Sequence, residues 1–333
     1  TNADLNALAQ PNQFFTDAGS PANIANTAAA GTDFFTGAGT LRGSHFNDVL
    51  LGSDGNDRFR GEGGNDYIDG GDGIDRIEFN SSSYGVTVDL SQNLVSDDGY
   101  GTNTQDQVFN IENVHGSQQN DQIIGDDEDN ELNGRFGSDI IYGRGGNDVL
   151  YSGENASNAG MLANGYLADD QLYGEDGEDK LYGGLGDDYL DGGDDDDELY
   201  GGAGNDMLFG GEGNDHLDGG GNIYSYDAIN NHSIFGTETL DGGIGDDFLT
   251  TPGGDLYMIG GSGNDTITSY DSGGFFDFVR VSYQSSPDGI IATPDGSGAL
   301  TIQDGFGTTD TVDGMHVLHD SKFDDVIVLD DTY

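Results

Sequence analysis

The chain has 333 residues, with 63 Asp and Glu against 9 Lys and Arg and a formal net charge of -54. Self-repulsion on that scale, with 59 Gly and only 5 Pro, opposes compaction, so the chain without cations is expected to be largely disordered. The balance excludes nucleic acid and anionic membrane as direct partners unless a divalent cation bridges them, and the lack of Cys excludes disulfides, thiol nucleophiles and zinc–thiolate sites. No apolar run approaches the ~18 residues that span a bilayer, and no basic-then-apolar leader opens the chain. The start at Thr1 reads as a processed form or a fragment.

Residues 1–39 are rich in Ala, Asn, Thr and Gly and contain a duplicated phrase, Phe14-Phe15-Thr16-Asp17-Ala18-Gly19-Ser20 and Phe34-Phe35-Thr36-Gly37-Ala38-Gly39-Thr40. A Phe pair among small residues predicts a short strand and a turn, either as a cap over the open end of a repeat array or as an arm that pairs with a neighbouring subunit. From Gly43 a nine-residue phrase recurs, as in GSHFNDVLL, GEGGNDYID, GGLGDDYLD and GGEGNDHLD. About seventeen units, some imperfect, carry Gly at the front, Asp at position six and an aliphatic residue at position eight.

The first block of repeats covers 40–78, with Leu50, Phe59, Ile68 and Ile77 pointing inward. A strand-rich insertion follows at 79–115 around the acidic turn Asp97-Asp98-Gly99-Tyr100-Gly101. The second block, 116–221, is broken by a short polar insertion at 152–164. Its interior residues are Ile123, Leu132, Ile141, Leu150, Leu172, Leu181, Leu190, Leu199, Leu208 and Leu217. A Tyr/Asn-rich insertion at 222–235 leads to a degenerate third block at 236–268, and a β-rich cap fills 269–333. That cap repeats the order of the first insertion, including an Asp-Gly-aromatic-Gly-Thr turn, which points to an internal duplication. Helical periodicity is nearly absent.

A nonapeptide cannot bury its single apolar residue alone, so units must stack. Two nonapeptides make one turn, each giving a loop and a strand on one side, so loops 18 residues apart lie on the same side. A calcium ion between such loops takes Asp carboxylates and main-chain carbonyls toward the usual count of about 6–8 oxygens. This rule pairs Asp48 with Asp66, Asp57 with Asp75, Asp121 with Asp139, Asp170 with Asp188, and Asp179 with Asp197. It also pairs Asp188 with Asp206, Asp197 with Asp215, and Asp247 with Asp265. Asn130 with Asp148 is a ninth pair with one charge fewer, and Glu238 and Leu256 at position six weaken the third block. The fold so predicted is all-β, a calcium-bound parallel β-roll with a strand-rich insertion and a C-terminal cap.

Those units resemble the RTX (repeats-in-toxin) family of secreted bacterial proteins over roughly 40–268. The resemblance implies multiple Ca2+ ions, folding triggered by calcium, and type I secretion through an uncleaved C-terminal signal. The acidic and aliphatic run Phe323–Asp331 is similar in character to such a signal, and equally reads as the last strand of the cap.

Catalytic motifs of this family's enzymes are absent: none of the six His falls in HExxH, and no GxSxG occurs. His316 and His319 lie on opposite faces if their segment is a strand. Two readings remain. One is a non-enzymatic structural protein of the cell surface or an extracellular assembly (surface layer, adhesin or matrix subunit), self-associating or holding a surface polysaccharide through calcium. The other is the calcium-dependent folding and secretion module of a larger extracellular enzyme such as a protease, lipase or alginate epimerase.

Overall fold

The computed structural model describes residues 39–100, 104–153, 168–220, 237–251, 255–269, 278–294, 299–315 and 317–328, with strand pieces at 15–16, 24–25, 33–36, 226–227 and 232–233. The polar insertion after Gly153, most of the 222–235 excursion, His316 and the last five residues lie outside the described residues. Apart from one 3₁₀ turn at Leu90–Gln92, the regular structure is β, and no helix among the described residues is long and apolar enough to cross a membrane.

Each nonapeptide folds as the period requires. Positions seven to nine form a strand, position eight turns inward, and its neighbours stay partly exposed, as in Tyr67–Asp69 and His216–Asp218. Successive strands alternate between two sheets, so parallel partners are two units apart. Leu172 pairs with Leu190 and Leu190 with Leu208 in one sheet. Leu181 pairs with Leu199 and Leu199 with Leu217 in the other. The fourteen interior residues expected from the repeat, Leu50 to Leu217, are each 0% exposed. At ~25 cal/mol per Å2 of apolar surface this single-file core is the roll's main source of hydrophobic stabilisation.

The chain forms two compact units, Thr1–Gln119 and Asn120–Tyr333. In the first, Phe35 pairs with Leu50 and Phe15 with Phe35, all parallel, while Ile24 pairs with Leu41. The duplicated Phe phrases are therefore consecutive rungs of the roll's own ladder, as the cap alternative requires. In the 79–115 insertion, strands Thr87–Asp89, Leu94–Asp97 and Asp106–Phe109 form an antiparallel meander. Its last strand rejoins the roll, with Val108 beside Ile68, and Val114 then follows Ile77. Residues 104–115 are thus roll as well as insertion.

In the second unit the ladders run across each interruption. Ile141 pairs with Leu172 and Leu150 with Leu181, then Leu208 with Leu240 and Leu217 with Leu249. Near the end, Ile291–Pro294, Leu300–Gln303 and Thr309–Asp313 form a second antiparallel meander, and Val312 rejoins beside Ile267. The two meanders match the internal duplication read from sequence. Outside the core, position nine builds aromatic ladders: Tyr151, Tyr182 and Tyr200 stack with ring centroids 5.0 Å apart, close to the spacing of adjacent strands.

Candidate metal centre

The acidic loops follow one rule from turn to turn. The N–H of a position-six residue donates to Oδ1 of the position-six Asp on the next turn: Asp170 to Asp188 at 2.9 Å, Asp179 to Asp197 at 2.8 Å, Asp188 to Asp206 at 3.0 Å and Asp197 to Asp215 at 2.9 Å. Asp48 to Asp66, Asp57 to Asp75, Asp121 to Asp139, Asn130 to Asp148 and Asp247 to Asp265 bond in the same way. The structure thus brings together all nine pairs that the 18-residue spacing selects.

In eleven of these Asp, half of the carboxylate remains unused, whereas Asp170 also takes a hydrogen bond from Ser152. Oδ2 of Asp66, Asp75, Asp139, Asp148, Asp179, Asp188, Asp197, Asp206, Asp215, Asp247 and Asp265 is buried without a hydrogen-bond partner. Leaving so many buried charged oxygens unsatisfied is expensive unless a proton or a cation occupies them. Burial, the neighbouring Asp206 and Asp170 carboxylates, and against them the Asp170 N–H, together push Asp188 up to about 9. Burial is likewise the main cause that takes Asp139 to about 9 and Asp197 and Asp247 to about 8.

The first glycine of each unit explains how room is kept for an ion. A Cβ at Gly192 would sit 2.2 Å from Asp197 Oδ2 and 2.6 Å from the Gly210 carbonyl oxygen. At Gly174 the corresponding distances are 2.3 Å to Asp179 Oδ2 and 2.4 Å to the Gly192 carbonyl. Glycine therefore leaves open a cradle faced by a carboxylate of its own unit and a carbonyl of the next turn. Among the described residues no three His, Asp or Glu side chains form a metal cluster by themselves. This agrees with a donor set completed by main-chain oxygen, the hard-oxygen chemistry that suits calcium. Gly192→Ala is expected to close the cradle beside Asp197 and lower the calcium bound by about one ion, while the sheet circular dichroism in saturating calcium stays close to wild type. An unchanged calcium count would contradict this assignment.

Several carboxylates behave differently from the uniform expectation. Asp48 Oδ2 accepts the Ser44 N–H at 2.6 Å and Asp57 Oδ2 the Ser53 N–H at 2.7 Å, and the Ser that replaces the second glycine adds a hydroxyl donor at 3.1 Å and 2.9 Å. Asn130 Oδ1 accepts the Asp126 N–H at 2.9 Å. These three positions are partly satisfied by the chain itself. Glu238 and Leu256 keep the position-six register side by side in the ladder.

The same hydrogen-bond rule also operates across the insertions, where the fixed spacing does not reach. Asp139 bonds to Asp170 and Asp148 to Asp179 over 31 residues, and Asp215 to Asp247 over 32. Asp66 reaches Asp106 over 40, Asp75 reaches Glu112 over 37, and Asp265 reaches Asp310 over 45. Asp106, Glu112 and Asp310 were missed because they fall outside the 18-residue spacing: Gly101 and Gly305 stand five residues before Asp106 and Asp310, but the meanders break the fixed period, and Glu112 has no glycine at that place. The signal that finds them is an acid two residues before an inward Val, at Val108, Val114 and Val312. A second ladder was missed too: position-five Asn or Asp accepts the N–H of the next turn, as Asp187 does from Asn205 at 2.9 Å and Asp196 from Asn214 at 2.8 Å. It holds the exposed side of the loops in register.

A parallel roll whose turns stack half-satisfied carboxylates over glycine carbonyls is a solenoid built to close around divalent cations. The RTX calcium-binding nonapeptide repeat matches residues 42–77, 115–150, 164–199, 191–223 and 234–268, half of the chain, and the protein belongs to that family. No individual curated protein matches it. These repeats bind multiple Ca2+ ions. When bound, calcium supplies the positive charge that the loops lack. The chain's part is to present Oδ2 and carbonyl oxygens, to hold each loop by its Oδ1 bond, and to keep the site open with glycine.

Proposed function

We propose that this is a secreted, non-enzymatic structural protein whose calcium-closed roll is its working part in an extracellular assembly. The observation that carries this reading is that, in both compact units, the described segments outside the nonapeptides are themselves built into the ladders: the Phe phrases at one end of the sequence and the second meander at the other. Each unit is built from the same kind of element, and RTX proteins are typically secreted by bacteria. The C-terminal segment pairs with the second meander, Val326 beside Ile291, as the last-strand reading expects, while Phe323, Val326, Ile327 and Val328 stay 42–52% exposed.

Light scattering and electron microscopy of the full chain test the reading. In millimolar calcium the protein is expected to form ordered oligomers or a lattice that chelator disperses. Because the Phe rungs extend the roll's own ladder, deleting residues 1–38 is expected to weaken calcium-induced folding together with any assembly. A monodisperse monomer at high protein and calcium concentration would overturn the structural role.

A further inference from the structure

The chain carries nine Lys and Arg against 63 acids, and four of the nine share one outer surface. In the first compact unit, strands Thr40–Arg42, Arg58–Arg60 and Arg76–Glu78 lie side by side in one sheet. Leu41, Phe59 and Ile77 point into the core, at 2%, 0% and 0% exposure. Side chains alternate along a strand, so Arg42, Arg58, Arg60 and Arg76 all point outward. The parallel register sets Arg42 directly beside Arg60 and Arg58 directly beside Arg76.

Like charges on neighbouring strands repel and weaken a sheet. In a chain this rich in carboxylates an alternation of sign was available, and the second unit uses it where Lys180 meets Glu198 at 2.8 Å. On the arginine surface four guanidinium groups share two carboxylates. Glu62 bonds to Arg42, and Glu78 holds Arg60 at 2.6 Å and Arg76 at 2.9 Å. Arg58 is exposed, and no carboxylate among the described residues pairs with it. The surface therefore stays positive on a strongly acidic molecule. The second unit carries the inverse pattern at position three of its repeats. Its ladder sets Asp176 beside Asp194 and Asp194 beside Glu212. All three are exposed, and among the described residues no hydrogen bond or ion pair engages their side chains.

We propose that the arginine surface of one copy docks on the Asp176, Asp194 and Glu212 row of a second copy. The inference rests on the structural-assembly reading and names its interface. Both rows belong to parallel ladders, so each repeats at the strand spacing of about 4.8 Å, and guanidinium and carboxylate groups meet in step, turn by turn. Arginine suits the task because its planar fork takes a carboxylate through two parallel hydrogen bonds. Each surface relieves the like-charge stacking of the other. Two different surfaces meet, so the contact is heterologous: every copy in a chain of copies still offers one of each at its ends, and growth is open. Calcium acts here by folding the roll, which sets both rows in register.

The test uses the full chain in millimolar calcium, with analytical ultracentrifugation for assembly and circular dichroism for folding. Arg58→Glu sets an opposite charge beside Arg76, which favours the fold, yet it is expected to raise the protein concentration needed for assembly at least about tenfold. The triple variant Asp176→Asn, Asp194→Asn, Glu212→Gln leaves every position-six Asp in place and is expected to do the same. At a concentration where each variant alone is a monomer, a one-to-one mixture is expected to form dimers and stop, because one variant keeps the acidic row and the other the arginine surface. Wild-type assembly in either variant, or two monomeric variants that do not pair when mixed, would overturn this interface while the assembly of the wild type keeps the structural reading intact. A wild type that stays monomeric would overturn both.

Discussion

In chelator, the chain is expected to be most compact near pH 4–5 and to unfold as the pH rises toward 9. The cause is the set of half-satisfied position-six carboxylates. Burial drives Asp66, Asp139 and Asp188 to about 9, Asp197 and Asp247 to about 8, and Asp148, Asp179, Asp206 and Asp265 to about 7 in the metal-free roll. An Asp in the unfolded chain titrates near 3.9. The folded state therefore binds more protons than the unfolded state between about pH 4 and the folded values, and stability must fall with rising pH across that window. The contribution is fully present below the unfolded value and is lost as each group ionises. Millimolar calcium should reverse the order, because the ion needs the carboxylates charged: stability then rises from pH 5 to 8. Small-angle scattering with circular dichroism across pH, with and without calcium, checks the crossing. Parallel pH profiles in the two conditions would show that the position-six oxygens are not where calcium acts.

Asp188→Ala and Leu190→Ala, two residues apart, should damage the protein in different ways. Asp188 is shared between turns: its carboxylate accepts the Asp170 N–H at 2.9 Å, while its own N–H donates to Asp206 at 3.0 Å. Its Oδ2 also faces the cradle of Gly183 and Gly201. Removing the carboxylate strips a calcium ligand and leaves the buried Asp170 N–H without its acceptor, so the calcium midpoint should rise several-fold with lower cooperativity. Leu190 is 0% exposed between Leu172 and Leu208. Its truncation should cost about 2–5 kcal/mol through the cavity it leaves, with every ligand still present. Asp48→Ala should shift the calcium midpoint least, because Ser44 already occupies its Oδ2. Equal shifts for Asp48→Ala and Asp188→Ala in a calcium titration would contradict this ordering.

Much of this architecture was legible because the nonapeptide encodes it redundantly. Leu172, Leu181 and Leu190 announce the inward stripe, and Asp170, Asp179 and Asp188 announce the loops, each by a fixed phase within the unit. The Phe14 and Phe34 phrases were recognisable as a duplication, but their sequence left cap and arm open; the pairing of Phe15 with Phe35 and Phe35 with Leu50 is a long-range fact. The links from Asp66 to Asp106 and from Asp265 to Asp310 were hidden for a related reason. A fixed spacing holds only while the chain makes uninterrupted turns, and a meander can leave the ladder and return to it at any loop length. The Ser44 and Ser53 caps on Asp48 and Asp57 were visible as Gly-Ser in place of Gly-Gly, yet their effect on the carboxylate is a matter of three-dimensional contact.

The most direct test is a calcium titration of the full chain at pH 7.5 followed by far-ultraviolet circular dichroism. If the unused Oδ2 atoms and glycine carbonyls are the sites that close the roll, the chelated chain gives a coil spectrum, and calcium brings in the β signal cooperatively over about 10⁻⁴–10⁻³ M, the range of extracellular calcium modules. A β spectrum that persists in chelator at this pH and does not change when calcium is added would contradict the account.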